Sequence, residues 1–478
     1  MKTKLKYISL VVGSLVLVNC KAPTPLQVKD NVKETLPESY TKDEVSNKST
    51  GTPPWREFFT DPHLVSLIET ALNNNQELLI TLQEIEKAKS SVMYRNGRLL
   101  PSVSVEAAAG VRKVGRYTSE GAGDASTQME EGKPIPDPLG NFGIGLQADW
   151  EVDIWNKLRT EKKSAIAHYL ATVEGKNFVL SSLIAEVAQS YYELLALDSQ
   201  YSYLKKYIEL QRKALEVSKI QKQAAATTEL SVKKFEAELA KSSANLYTVQ
   251  QSILEKENDI NLLLGRFYQP IPRSSSEFLD LVPQSIKTGI PSELLANRPD
   301  VKQAELELEA AKLDVEAARK EFYPSLNITF GAGLEAFKPS YFTHFPESLA
   351  YNIVGDLVGP LINKSAIKAK FNTANASQLQ ALYEYNKTLI KAYMEVSNNL
   401  NKIKNYQQYF DLKHTQSKDL DEAIGISNLL FTNARADYME VLMTQRDALD
   451  AKMELIEAKN TQLNATVYLY KSLGGGWK

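Results

Sequence analysis

One feature limits what this chain can fold into more than any other: its pattern is written twice. Leu99-Leu100-Pro101-Ser102-Val103-Ser104-Val105 returns as Phe322-Tyr323-Pro324-Ser325-Leu326-Asn327-Ile328. Ile154-Trp155-Asn156-Lys157 returns as Leu361-Ile362-Asn363-Lys364, and Leu263-Leu264-Gly265 as Ser472-Leu473-Gly474. A spacing of roughly two hundred residues is far longer than a solenoid repeat and indicates a duplicated module. The reading is repeat 1 over 54–270, an equatorial connection over 271–290, and repeat 2 over 291–478. Each half runs helix, two strands, two long helices. Pro101 and Pro324 end the short helices and start extended chain, because proline removes a helical donor and disfavours helix in the residue before it.

Four segments alternate with a period of two and are predicted as strands: 102–111, 142–151, 325–335 and 350–358. Each is near the ~9–11 residues that cross a bilayer as a tilted strand. Apolar positions are expected to face lipid, among them Val103, Val105, Ile144, Leu146, Ile328, Phe330 and Ile353. Ser104, Glu106, Gln147, Asp149, Asn327 and Asn352 alternate with them and are expected to face a wet lumen. An amphipathic sheet on a soluble core shows the same alternation. Two features favour the membrane: the polar side is rich in Gly, Ser, Asn and carboxylates, and the flanking helices are too long for a compact globule. Four strands cannot close a barrel, and an open edge in lipid leaves backbone groups unpaired at several kcal/mol each. The chain must therefore associate.

The long helices are predicted over 156–222, 228–264, 365–430 and 436–472. A continuous helix over the first of these would be ~100 Å long. Leu180, Ile184, Val187, Tyr191 and Leu194 in one half, and Tyr385, Leu389, Ala392, Val396 and Leu400 in the other, recur at intervals of three and four. That spacing suits left-handed coiled-coil packing, and an ordinary bundle core would show it too.

Residues 1–19 read as a lipoprotein signal peptide: Lys2, Lys4 and Lys6, then an apolar run, then Leu17-Val18-Asn19-Cys20. Cys20 is the only cysteine, which rules out an intrachain disulfide and marks it as the expected lipidation site. The polar stretch 20–53 reads as a lipidated tether. Net charge is −2, which argues against a nucleic-acid partner. The four histidines, His63, His168, His344 and His414, lack metal-ligand spacing, and no phosphate-binding Gly-rich loop is present. No catalytic constellation, metal site or cofactor other than the covalent lipid is expected.

The segment Trp55-Arg56-Glu57-Phe58-Phe59-Thr60-Asp61-Pro62 and the stretch Leu294-Leu295-Ala296-Asn297-Arg298-Pro299-Asp300-Val301, with Ala317-Ala318-Arg319 and Phe322-Tyr323-Pro324-Ser325-Leu326, resemble the TolC-like outer-membrane factor family. The similarity is to its lipoprotein branch, which serves RND-type efflux pumps, and it spans nearly all of the mature chain. It implies a mixed fold: a homotrimer with a 12-stranded transmembrane barrel and an α-helical periplasmic coiled-coil tunnel. It also implies docking to a periplasmic adaptor and an inner-membrane RND-type pump, with passive export of drugs, metals or other small molecules. A duct for type I-like protein or peptide secretion and a structural coiled-coil envelope lipoprotein are the alternatives. This chain departs from the family in three ways. Asn156 and Asn363 stand where Gly is common, the tip turns 223–228 and 432–437 lack Gly, and Met443 replaces an aspartate ahead of Gln445-Arg446. A duct open at rest would leak, so a periplasmic gate is expected around the tips. The residues named for it are Ala225, Thr228, Lys233, Glu236, Ala434, Asp437, Tyr438, Met443, Arg446 and Asp447.

Overall fold

The computed structural model describes residues 22–25, 32, 35–40, 53–275, 277–283, 286, 289–360, 364–433 and 435–477. Cys20, Asn363 and Ala434 lie outside them. In chain order the elements are α1 (Trp55–Phe58), α2 (Pro62–Asn74), α3 (Gln76–Gly97), β1 (Ser102–Arg112), α4 (Ser119–Ser126), β2 (Gln128–Glu130), β3 (Lys133–Pro134) and β4 (Leu139–Val152). There follow α5 (Lys157–Gln223), α6 (Glu229–Leu263), α7 (Leu294–Asn297), α8 (Pro299–Lys320), β5 (Ser325–Ala336), β6 (Leu349–Val358), α9 (Ser365–Thr432) and α10 (Tyr438–Ser472). They form two compact units.

The first unit spans Met1–Lys29, Glu86–Leu170 and Leu306–Leu382. Its centre is one antiparallel sheet in the order β1-β4-β5-β6. The two halves of the chain meet inside it, where β4 pairs with β5 and Trp150 lies opposite Ile328. β4 starts three residues before the expected 142. The chain between β1 and β4 is more than a polar loop. It holds α4, capped by Thr118 Oγ1, which accepts from the Gly121 amide at 3.1 Å, and a small β2–β3 hairpin. Where α3 gives way to β1, Arg98 donates to Glu161 at 3.0 Å and Glu151 at 3.2 Å. Val315, Ala318, Phe322 and Phe371 form a cluster against which Ala22 packs.

The second unit spans Asp30–Ile85, Ala171–Glu305 and Tyr383–Lys478. Its main core joins Trp55, Phe58, Leu64 and Ile68 to Tyr191, Leu194, Ile260 and Tyr470. The Phe58 and Tyr470 rings stack at 4.0 Å. Asp61 caps α2 by accepting from the His63 amide at 2.8 Å, and it also accepts the Tyr191 hydroxyl at 2.6 Å. The Asn73-Asn74-Asn75 break between α2 and α3 has a mechanical cause. Asn75 Oδ1 accepts from the Leu78 amide at 3.0 Å, starting a new helix, while its Nδ2 donates to the Leu263 carbonyl at 2.9 Å.

One part of 20–53 is not a loose tether. Tyr40 is buried and stacks on Tyr393 at 5.8 Å. Ser397 Oγ donates to the Tyr40 carbonyl at 3.0 Å, and Tyr393 Oη donates to the Ser39 carbonyl at 3.1 Å. A lone aromatic ring in a polar tail has apolar area to bury, and α9 offers a ring to bury it against.

Candidate functional site

The register of the sheet brings four separate alternating patterns onto common faces. One row runs Val105, Leu146, Ala332, Tyr351. A second runs Val103, Ala148, Phe330, Ile353, and a third joins Trp150, Ile328 and Gly355. The intervening row Ser104, Gln147, Gly331, Asn352 belongs to the opposite face. So do Glu106, Gly145, Gly333, Ala350 and the row Glu151, Asn327, Asp356. A slip of one residue in any strand would mix the faces; none has slipped.

Both faces are open in a single chain. Val103, Val105, Ile144, Leu146, Phe330 and Ile353 are exposed, and Ile328 is half-buried. Ser104, Glu106, Asp149 and Asn352 are exposed, while Gln147 and Asn327 are half-buried. On the polar face Asp149 accepts from Thr329 Oγ1 at 3.0 Å and from Gln147 Nε2 at 3.3 Å. The polar face also has close backbone approaches. A Cβ on Gly145 would sit 2.7 Å from the Ala332 carbonyl oxygen, and one on Gly333 would sit 2.4 Å from that of Ile144.

Sequence reasoning missed the aromatic and charged fittings at the helix end of the sheet. Trp150 Nε1 donates to the Leu99 carbonyl at 3.1 Å. Trp155 Nε1 donates to the Pro324 carbonyl at 2.7 Å, and its ring lies 5.2 Å from that of Tyr323. Trp and Tyr at strand ends are the signal to have used, since their amphipathic rings favour a membrane interface. Asn156 is at φ 58, so it takes the left-handed turn that Gly would otherwise supply. Asp153 then caps α5, accepting from the amides of Leu158 at 3.0 Å and Arg159 at 2.9 Å.

The helix ends repeat one device. At the end of α6, Gly265 N–H bonds the Leu262 carbonyl and Arg266 N–H the Asn261 carbonyl, both at 3.0 Å. At the end of α10, Gly474 bonds Lys471 at 2.9 Å and Gly475 bonds Tyr470 at 3.0 Å. These are Schellman caps with Gly in the left-handed position. Each Gly also meets the chain ahead of a shorter helix. A Cβ on Gly265 would be 2.3 Å from the Asn74 carbonyl oxygen, and one on Gly474 would be 2.3 Å from that of Asn297. Arg298 plays on α10 the part Asn75 plays on α6: it is buried and donates to the Ser472 carbonyl at 3.1 Å. It also pairs with Asp300 at 2.7 Å and Glu395 at 2.8 Å. Burial opposes its charge, but the two carboxylates outweigh that and hold its pKa above the ordinary arginine value.

At the tip between α5 and α6 the same cap occurs without glycine. Ala225 sits at φ 59, its N–H bonding Lys222 at 3.0 Å, with the Ala226 N–H bonding Gln221 at 2.8 Å. At the other tip, Arg435 N–H bonds the Leu430 carbonyl at 2.8 Å. Thr228 and Asp437 are the N-caps of α6 and α10 and make no side-chain cap bond. Lys233 pairs with Glu236 of its own helix at 2.9 Å. Tyr438 packs on the apolar cluster of Ala214, Leu215, Val232, Phe235, Phe431, Val441 and Leu442. Met443, Arg446 and Asp447 are exposed on α10. Within the single chain no ion pair among the described residues joins Asp437, Arg446 or Asp447.

Among the described residues no helix is long and apolar enough to cross a membrane, and no His, Cys, Asp or Glu group is arranged to hold a metal. An amphipathic antiparallel sheet joined to long helical hairpins is the architecture of an outer-membrane channel protein. The family model described as "Outer membrane efflux protein" matches residues 67–266 and 290–475. The chain belongs to that family and is an efflux component of the outer membrane. It is 28% identical over 480 residues to the pyoverdine export outer membrane protein OpmQ of Pseudomonas putida, covering 99% of this chain and 98% of that one. It is 24% identical to the probable outer membrane lipoprotein SilC of Salmonella typhimurium, covering 88% of each. Its fold matches the open state of the Neisseria gonorrhoeae MtrE outer membrane channel with a TM-score of 0.80 at 22% identity, covering 96% of this chain and 98% of that one.

Proposed function

We propose that three copies of this chain close a 12-stranded barrel in the outer membrane and continue it as a helical tunnel through the periplasm. The observation that carries this reading is the sheet register. It collects the alternating apolar positions of the four strands on one face, Leu139, Val354 and Val358 excepted, and among the described residues β1 pairs only with β4 and β6 only with β5, so both edges are open. Because every pairing is antiparallel, β1 and β6 run in opposite directions. The β1 of a second copy can therefore extend the ladder antiparallel to β6, and no edge is left in lipid. Lipid then takes the face of Val105, Leu146 and Ile353, and the lumen takes that of Ser104, Gln147 and Asn352. The matched caps at Gly265 and Gly474, and the matched roles of Asn75 and Arg298, support descent from one duplicated unit.

The chain acts as a passive duct without catalytic activity, and Cys20 carries the anchoring lipid. At the inner end the tips dock a periplasmic adaptor bound to an inner-membrane pump, which supplies the energy. Exported small molecules are selected by that pump. Asp437, Arg446 and Asp447, which join no ion pair among the described residues of one chain, pair with neighbouring copies when the duct is closed. The test is native mass and single-channel conductance of the purified lipoprotein, with a Cys20→Ser variant probed for acyl label. Trimers that give conductance steps are expected, with label lost in the variant and raised conductance in Asp437→Ala, Arg446→Ala and Asp447→Ala. A monomer without conductance refutes the duct, and persistent label refutes Cys20.

A further inference from the structure

We infer that a cavity in the first unit, where the strands give way to helices, is the seat of the lipid that Cys20 carries. The inference rests on the proposed acylation of Cys20. The cavity measures about 360 Å³, and its apolar wall is made by Ile154, Trp155, Tyr323, Pro324, Val358 and Ile367. That is room for one small-ligand-sized group and not for a set of whole acyl chains. It therefore takes the glyceryl group and the first methylenes, and the tails continue into the bilayer.

Reach and charge choose this occupant. Ala22 packs on the cluster of Phe322 and Phe371, and Ile367 lies both against that cluster and in the cavity wall. Tyr323, another wall residue, follows Phe322 directly. Cys20 stands two residues before Ala22, a span of at most about 7 Å. The charges at the rim are already matched: Lys157 pairs with Glu151, Glu321 with Lys370, and Lys320 with Glu316 at 2.7 Å. A phosphate-bearing lipid headgroup would have to break one of these pairs or bury an unmatched charge, which is costly. The diacylglyceryl thioether of an acylated cysteine is neutral and disturbs none of them. The Trp155 and Tyr323 rings, 5.2 Å apart, suit the membrane boundary, the level at which an acylated residue enters the bilayer. Seated there, the lipid touches both the β4–α5 and the α8–β5 connections, one from each half of the chain.

The experiment feeds cells a palmitate analogue with a diazirine near its carboxyl end, irradiates the outer membranes, and maps crosslinked peptides of the full-length protein. Compared with the parent are Cys20→Ser and Ile154→Trp, which fills the cavity from an exposed wall position. The expected result is crosslinks at residues 151–157 and 320–325 in the parent, absent from Cys20→Ser. Ile154→Trp should keep its label on Cys20 and lose those crosslinks. The parent against Cys20→Ser decides the inference whether or not Ile154→Trp assembles. Label on the parent's Cys20 with crosslinks only elsewhere overturns the inference and leaves the acylation intact. So do the same crosslinks in Cys20→Ser, which would show bulk phospholipid in the cavity. A parent whose Cys20 takes no label refutes the acylation, and this inference with it.

Discussion

Leu146 and Gln147 are neighbours in β4, close to its middle, and point to opposite faces of the sheet. An arginine at either position tests which face meets lipid at almost the same depth. Leu146 is 52% exposed in the single chain and lies between Val105 and Ala332. If that face were solvated, Leu146→Arg would be a surface change worth no more than ~0.5 kcal/mol either way. In lipid near the midplane the same change costs ~2–4 kcal/mol per chain. At about 1.4 kcal/mol per factor of ten, that is roughly a thirty- to eight-hundred-fold shift for each chain, and a trimer carries it three times. Gln147→Arg places its charge in the lumen and should cost well under 1 kcal/mol. The assay is the yield of heat-resistant trimer from outer-membrane extracts, followed by urea titration of what forms. A large loss for Leu146→Arg beside near-parental yield for Gln147→Arg is expected. Equal tolerance would refute the lipid assignment of the whole face, because the register ties the other apolar positions to Leu146.

Arg298→Met should destabilise the second unit by ~3–5 kcal/mol, since it strands Asp300 and the Ser472 carbonyl and removes the closer partner of Glu395; hydrogen exchange at residues 470–476 should rise, and parental protection there would contradict the role given to Arg298. His168, between Glu307 at 2.7 Å and Asp314 at 3.8 Å, is pushed up to about 10 by the Asp314 and Glu307 carboxylates. A pKa raised on folding stabilises fully below the ordinary value near 6.5, and the effect fades as pH rises and is gone above about 10. The pair is nearly half exposed, so His168→Gln should cost no more than ~1 kcal/mol. Unfolding midpoints of parent and variant should differ at pH 6 and merge by pH 10.5; a gap that widens with pH would refute the assignment. Ala225→Gly should stabilise the α5–α6 tip by up to ~1 kcal/mol, because alanine bears a left-handed cost that glycine avoids. Slower amide exchange at 221–226 is the readout, and faster exchange would show that the cap is not strained.

Local periodicity was the legible part. Three strands alternate closely enough for their faces to be read residue by residue, while in β6 Val354 breaks the alternation; the left-handed Asn156 fits asparagine's tolerance of that conformation. What could not be read were pairings between residues far apart in sequence. Nothing in the alternation says that β4 lies beside β5, because any antiparallel partner satisfies an amphipathic strand. Arg298 reads locally as a helix start, and its pairing with Asp300 fits that, but its bonds to Glu395 and Ser472 depend on how distant helices pack. Tyr40 in a polar tail gives no local hint of Tyr393. Ala225 breaks the rule that would have placed a glycine, so the strain there appears only in the backbone angle. Which tip residues gate the proposed duct depends on which helix face meets a neighbouring copy, and one chain's periodicity does not contain that.

In the proposed trimer, the junction between β4 and α5 makes barrel and tunnel one assembly step. Only four residues separate Val152 from Lys157. Each is tied down: Asp153 caps the helix, Ile154 N–H bonds the Val152 carbonyl at 2.8 Å, Trp155 bonds Pro324, and Asn156 takes the left-handed turn. Lys320 adds a brace from α8, donating to Thr160 Oγ1 at 2.8 Å and to the Asn156 carbonyl at 3.3 Å. A junction with that many bonds has little freedom to swivel, so the direction of the strand sets the direction in which the helix leaves it. In that proposed trimer β1 of one copy pairs with β6 of the next, the ladder register fixes the angle between copies, and the helices rooted in those strands inherit that angle. Edge pairing alone would satisfy the backbone in lipid. Rigid junctions extend its effect, so that closing the barrel also brings the helices of neighbouring copies side by side.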